Sequence, residues 1–145
     1  MEYTFQRSLG RITQQVSKGL GLVLEKKFRK AGYTTTSAQW TIISFLNQKN
    51  KSTQKEIGDF MGVNKVMVKR LIDSLEKNDL VKRIRSVDDK RFNKVQLTRK
   101  GQKLYRELIP FAEETLEEAY SDINSEEIEQ CLDTLGKISE RLEKL

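Results

Sequence analysis

VNKVMVKRLIDSLEKNDLVKRIRSVDDKRFNKVQLTRKG, residues 63–101, changes its hydrophobic rhythm halfway along. Val68, Leu71, Ile72 and Leu75 stand at i, i+3, i+4 and i+7, the spacing of one helix face. Asn64 is a good N-cap for that helix, which should end near Asn78 and Asp79. Residues 80–85 and 92–97 then read as two short strands. In the second, Val95 and Leu97 fall on one side and Lys94 and Gln96 on the other. The link between them, residues 86–91, is charged and turn-prone. Thr98 caps a further helix running to about Tyr120, and Pro110 should kink or locally open it.

Working toward the start of the chain, Gly62-Val63-Asn64 is a tight turn. Before it, Thr53 with Glu56 opens a short helix through Ile57 and Phe60. Thr36 with Gln39 is a capping box that opens a helix through Trp40, Ile43, Phe45 and Leu46. A long first helix is expected over residues 5–31, with Phe5, Leu9, Ile12, Val16, Leu20, Val23, Leu24 and Phe28 in one stripe and Gly32 as its stop. Toward the end, Asn124 with Glu127 opens a last helix carrying Ile128, Cys131, Leu132, Leu135, Ile138 and Leu142. The order is helix, helix, short helix, helix, β-hairpin, helix, helix. The fold expected is mostly α with a small β-hairpin wing, a winged helix-turn-helix.

The charges concentrate in the same place. The 145 residues carry a net charge of +6, unevenly spread. Residues 1–50 hold 8 basic and 2 acidic residues, residues 51–103 hold 15 and 7, and residues 104–145 hold 4 and 12. A basic body joined to an acidic tail suggests one part that binds a polyanion and one with another task. The helix face opposite the apolar stripe presents Lys65, Val66, Lys69, Arg70 and Asp73. Lys65 and Val66 lie at the helix N-terminus, where backbone N–H groups favour phosphate. Lys69 and Arg70 can reach phosphates or the acceptor edge of guanine, and Val66 and Met67 can touch a thymine methyl. Solvated charges on an amphipathic helix are the competing reading. The hairpin adds Lys82, Arg83, Arg85, Lys90, Arg91 and Lys94, six cations within 13 residues. Helix and hairpin together make two prongs, one for the major groove and one for the minor groove, whose negative potential favours Arg. Asp89, beside Asp88, either holds Arg91 in a bidentate pair or simply makes the turn.

At these residues the chain resembles the MarR family of bacterial transcriptional regulators. Asp89, Arg91, Leu97, Thr98 and Gly101 fit the family's D-x-R, then L-T-x-x-G pattern. Residues 63–83 are similar to its recognition helix and first wing strand, and residues 36–46 to the helix before them. The family usually has Gly before the Leu that opens the wing; here that place is Asp79, a residue type that tolerates a left-handed backbone. The resemblance implies a homodimer binding a pseudo-palindromic operator in double-stranded DNA. It also implies modulation by a small, often aromatic or anionic ligand. Residues 1–34 and 101–145 would form a helical dimerisation module, and residues 35–100 the winged DNA-binding domain. The recognition helix maps onto Lys65, Val66, Met67, Lys69 and Arg70, capped by Asn64. The wing maps onto Arg85, Asp89, Lys90 and Arg91, with Arg91 in the minor groove.

The residues support a dimer independently. Phe5, Leu9, Ile12, Leu108, Ile109, Phe111, Leu116, Ile138, Leu142 and Leu145 are much apolar surface for helices outside a winged core, with packing inside one chain as the alternative way to bury it. A two-fold dimer sets two recognition helices about 34 Å apart and half-sites about 10 base pairs apart. The acidic residues of the tail, Glu113, Glu114, Glu117, Glu118, Glu126, Glu127 and Glu129, should point away from DNA or pair with Lys26, Lys27, Arg29 and Lys30. Arg11, Tyr33, Trp40 and Phe45 are candidates for a ligand pocket, with ordinary core as the alternative for Trp40 and Phe45. Cys131, in the apolar stripe of the last helix, is expected to be a buried, inert thiol.

Other functions find no residues to carry them. Histidine is absent and there is one cysteine, so Ser-His-Asp and Cys-His catalysis and a zinc site lack their parts. No Gly-rich phosphate loop occurs. No cofactor, metal or enzymatic activity is expected. No apolar run approaches membrane length and the first residues lack a signal-peptide core, so a reducing cytoplasm is the expected location. The function expected is a sequence-specific regulator, a repressor in the simplest case. The alternative is a protein–protein module using its basic face on an acidic partner.

Overall fold

The computed structural model describes residues 1–85 and 93–145. Six helices and a small antiparallel sheet follow one another: α1 (Leu9–Lys30), α2 (Ser37–Lys49), β1 (Lys51–Thr53), α3 (Gln54–Met61), α4 (Lys65–Lys77), β2 (Val81–Arg85), β3 (Asn93–Leu97), α5 (Arg99–Ala119) and α6 (Ser125–Leu142). The architecture is that of a winged helix-turn-helix with long helices contributed from both ends of the chain.

The expected caps are in place. Thr36 and Gln39 bond reciprocally as a full capping box, and the Thr53 hydroxyl accepts the Glu56 N–H. Asn64 accepts the Met67 N–H at 2.8 Å. Gly62, at φ 67°, closes α3 in a left-handed turn that a side chain would strain. Asp79 stands at φ 61°, so it takes the left-handed position that ends α4.

Four expectations are corrected. The first helix does not start at residue 5: Phe5–Arg7 form a 3₁₀ turn and α1 begins at Leu9. The Ser8 hydroxyl donates to the Phe5 carbonyl at 2.8 Å, which satisfies that turn locally and breaks the helix there. A third strand, β1, pairs with the outer edge of β3, so the sheet order is β1-β3-β2. Asn124 caps the Glu126 N–H, not that of Glu127. Finally, α5 does not open at Pro110 but continues as helix through it.

Two apolar clusters hold the chain together. The larger, with Ile42, Ile43, Leu46, Ile57, Val68, Ile72, Leu75, Val81, Val95 and Leu97, fills the winged lobe between α2, α3, α4 and the sheet. The smaller, Leu24, Phe28 and Leu108 with Trp40, Leu104 and Phe111 against them, joins the second half of α1 to α5. Lys27 reinforces that joint through Glu118 at 2.9 Å and Glu114 at 3.4 Å. These carboxylates, Glu118 first, hold the lysine above its ordinary pKa. By contrast, α6 has no buried residue and makes no substantial packing contact with another described element.

Gly101 fastens the wing to α5. The Thr98 N–H donates to the Leu80 carbonyl at 3.0 Å, and the Thr98 hydroxyl donates to the Asp79 carbonyl at 2.6 Å. The Gly101 N–H returns to the Thr98 hydroxyl at 3.0 Å. A Cβ at Gly101 would stand 2.1 Å from the Leu80 oxygen, so only glycine admits this crossing. The L-T-x-x-G stretch is thus the knot where the end of α4, the hairpin and α5 meet.

Candidate nucleic-acid interface

The core side of α4 is set by Val68, Ile72 and Leu75, all buried. The opposite side therefore carries Lys65, Val66, Met67, Lys69 and Arg70 outward, and all five are exposed. Val66 keeps 69% of its surface and Met67 46%, high values for apolar side chains and a sign that this end of the helix awaits a partner. Asn64 caps the same end and is itself exposed. The helix thus offers cations, methyl groups and its positive dipole end on one face.

The sheet register sorts the hairpin cations. Val81 faces Leu97 and Arg83 faces Val95 across the ladder, while Lys82 pairs with Gln96 and Ile84 with Lys94. Residues 81, 83 and 85 share the side turned toward the core, and Lys82 and Lys94 share the outer side. Arg83 is therefore not one of a set of outward cations, as the charge count implied. Its guanidinium is held by Asp73 Oδ1 at 2.6 Å, Glu76 Oε1 at 2.7 Å and Gln54 Oε1 at 2.9 Å, and 20% of its side chain remains accessible. This links β2 to α4 and to the start of α3. Asp73 also accepts Lys69 at 2.8 Å through its other oxygen. Lys69 and then Arg83 hold the Asp73 carboxyl below the usual carboxylate range. Arg85, at the open end of β2, is exposed and lies opposite Asn93. Asp89, Lys90 and Arg91 lie outside the described residues.

The four candidate ligand residues are not brought together. Arg11 sits over the Phe5 ring at 5.9 Å near the start of α1. Trp40 stacks on Tyr105 at 5.4 Å and meets the edge of Phe28. Phe45 lies in the winged core with Phe60 against it at 4.5 Å. Tyr33 alone of the four lines a cavity of about 570 Å³ between the α1–α2 loop, the end of α4 and the first turns of α5. Thr35, Gln39, Ser74, Lys100 and Lys103 are among its other walls. The Tyr33 hydroxyl donates to Glu107 at 3.1 Å, and partial burial followed by that carboxylate raises the phenol's pKa. This wall comes from segments some 70 residues apart, which no local pattern announces.

Cys131 is exposed in the single chain, contrary to the buried thiol expected. It lies with Leu9, Leu135 and Ile138 along a shallow apolar groove between α6 and the start of α1. Ile12, Val16, Leu132 and Leu142 add exposed apolar surface to the same two helices, and Phe5 to the turn before α1. Among the described residues no group of His, Cys, Asp or Glu is placed to hold a metal, and no helix is long and apolar enough to cross a membrane.

Comparison with known proteins follows the same lines. Residues 35–92 match the model of the MarR family. The transcriptional repressor MprA of Escherichia coli is 28% identical over 120 residues, 82% of this chain and 68% of MprA. A mutant of E. coli MarR in complex with operator DNA superposes with a TM-score of 0.79 at 21% identity, covering 90% of this chain and 92% of that one. Bordetella bronchiseptica BpsR, studied for regulation of its DNA binding by 6-hydroxynicotinic acid, superposes at 0.81 with 20% identity, over 96% and 98% of the two chains.

Proposed function

We propose, from its similarity to the MarR family of DNA-binding transcriptional regulators, that this chain is a homodimeric repressor of a pseudo-palindromic operator whose affinity a small ligand adjusts. The observation that carries the reading is the outward end of α4, where Lys65, Val66, Met67 and Arg70 stand exposed beside the Asn64 cap. In this reading those residues and Lys69 enter the major groove. Arg85 and the wing residues Asp89, Lys90 and Arg91 serve the adjacent minor groove.

Residues 1–34 and 101–145 form the dimerisation module in this reading. The apolar residues of α1 and α6 that a single chain leaves open support it, because a second copy would cover them, Cys131 included. The dimer blocks polymerase by occupying the promoter. The ligand, a small aromatic or anionic molecule, acts by preferring a lobe spacing unsuited to the operator, and its effect is limited to its differential affinity for the two arrangements. The cavity walled by Tyr33 and α5 is one place where a ligand would touch both the end of α4 and the helices of the module.

Capture of bound genomic fragments, followed by titration of the recovered sequence, tests the proposal. A specific complex shows a steep dependence on salt and a preference for one sequence over bulk DNA. Arg70→Ala and Arg91→Ala should each weaken that complex without unfolding the protein. Equal affinity in both variants, or no sequence preference in the parent, refutes it.

A further inference from the structure

The cation nearest the middle of the exposed α4 face is already engaged. Lys69 Nζ lies 2.8 Å from Asp73 Oδ2, one helical turn on, while 68% of the lysine side chain remains accessible. Asp73 is not free to turn away. Its other oxygen is bound by Arg83 at 2.6 Å, and Arg83 is fixed in turn by Glu76 and Gln54. A carboxylate anchored from behind by the wing strand thus stands beside a lysine on the face offered to DNA. Lys65 and Arg70 make no ion pair among the described residues, so the restraint falls on Lys69 alone.

We propose that Asp73 is a specificity-determining residue of the DNA-binding face, holding Lys69 back from phosphate until a duplex presents an acceptor close enough for the lysine to change partners. The inference rests on the reading of α4 as the DNA-binding helix. Non-specific binding is driven almost wholly by phosphate neutralisation. A cation that already has a carboxylate partner contributes little to it. A matched site supplies an acceptor at hydrogen-bonding distance and offsets the loss of the pair. Discrimination then comes from an element that opposes the wrong duplex, not only from contacts to the right one. Arg83 has a different part: it is a positioning residue that keeps Asp73 in place.

The test uses the full chain and two duplexes, one selected by the protein from a random library and one of the same composition with its sequence shuffled. Asp73→Asn keeps an acceptor for Arg83 and removes the charge. It should tighten binding to the shuffled duplex by up to about fivefold, the range open to an exposed ion pair. Its log K against log salt slope on that duplex should steepen by about 0.9, one further phosphate contact. Affinity for the selected duplex should rise less, so the ratio between the two falls. Asp73→Glu, which retains the charge, should keep the parental slope and ratio. In a Lys69→Gln background, Asp73→Asn should no longer have any effect on the shuffled duplex.

An unchanged slope in Asp73→Asn overturns the proposal, as does weaker binding to both duplexes. So does an effect that persists without Lys69, since the carboxylate would then act through Arg83 and the fold. If Lys69→Gln itself changes nothing while Arg70→Ala weakens binding, the role of Asp73 fails and the DNA-binding reading stands. If the parent selects no sequence at all, it is the DNA-binding reading that fails.

Discussion

Replacing Gly101 with alanine should unsettle the join between wing and α5 more than any other single methyl group added to a helix of this chain. The new Cβ would lie 2.1 Å from the Leu80 oxygen and 3.1 Å from both the Leu80 carbonyl carbon and Leu97 Cδ2. Ordinary contact begins near 3.4 Å, so α5 must retreat from the Leu80 carbonyl by more than 1 Å. That carbonyl accepts the Thr98 N–H at 3.0 Å, and Thr98 also donates to Asp79. Loss of those two bonds costs about 1 kcal/mol each, and forced repacking around a buried methyl adds roughly 1–3 kcal/mol. Alanine returns about 0.5–1 kcal/mol through its better helix propensity. The net destabilisation is about 2–4 kcal/mol.

Gly19→Ala is the control. It lies inside α1 with nothing within 4 Å of the added Cβ and should be neutral or stabilising by up to about 1 kcal/mol. Urea unfolding of the three proteins, run at one protein concentration because association shifts the midpoint, measures the difference. A Gly101→Ala protein within about 0.5 kcal/mol of the parent would show that the crossing at Leu80 relaxes freely, and the L-T-x-x-G stretch would then be no fixed knot.

Three further outcomes are expected. Arg83→Met should lower stability only modestly, by up to about 1 kcal/mol for each ion pair lost, in thermal or urea unfolding, because Asp73 and Glu76 lose their shared cation but stay open to water. A charge placed on the exposed apolar faces of α1 and α6, as in Leu132→Glu or Leu9→Glu, should convert the proposed dimer to monomer in sedimentation or light scattering and abolish operator binding with it; a monomer in the parent at the same concentration would remove the premise. The Tyr33 phenol should ionise above the ordinary tyrosine range in an alkaline absorbance titration, and Glu107→Gln should lower it part of the way. Its folded pKa is raised, so the stability it contributes is complete below the ordinary phenol pKa. That stability falls as pH climbs from the ordinary phenol pKa and is gone once pH has passed the raised value.

How far the sequence told this in advance depends on the range over which each feature is determined. The α4 helix was legible because its cap, its stripe and its stop lie within 16 residues, from Asn64 to Asp79, and all act locally. The alternation of Val95 and Leu97 likewise announced β3. The three residues of β1 carry no pattern of their own. They are a strand because β3 has an edge to offer, with Ser52 opposite Val95. Charge read along the ribbon groups Arg83 with the hairpin's other cations, because it ignores which face each residue occupies. Period-two geometry sets it beside Val81, toward α4, where Asp73 and Glu76 wait. Cys131 shows a different limit. An apolar stripe says that a surface should be covered but not by what, and within one chain α6 has nothing over it. The cavity at Tyr33 was out of reach for the same reason as Glu107: its walls meet only when the chain is folded.

The unbroken course of α5 has a mechanical consequence. Its first turn is knotted to the wing and the end of α4, and its middle is gripped at Leu108 by Phe28 and Leu24. At about 1.5 Å per residue the nine steps from Arg99 to Leu108 form an arm of about 14 Å. A tilt of about 10° about the grip would carry the wing's base some 2.5 Å, close to half the 5.4 Å pitch of a helix. Anything that rocks the far half of α5 is thus geared directly to the place where α4 ends, and Pro110, just beyond the grip, lies on the driven side of that lever.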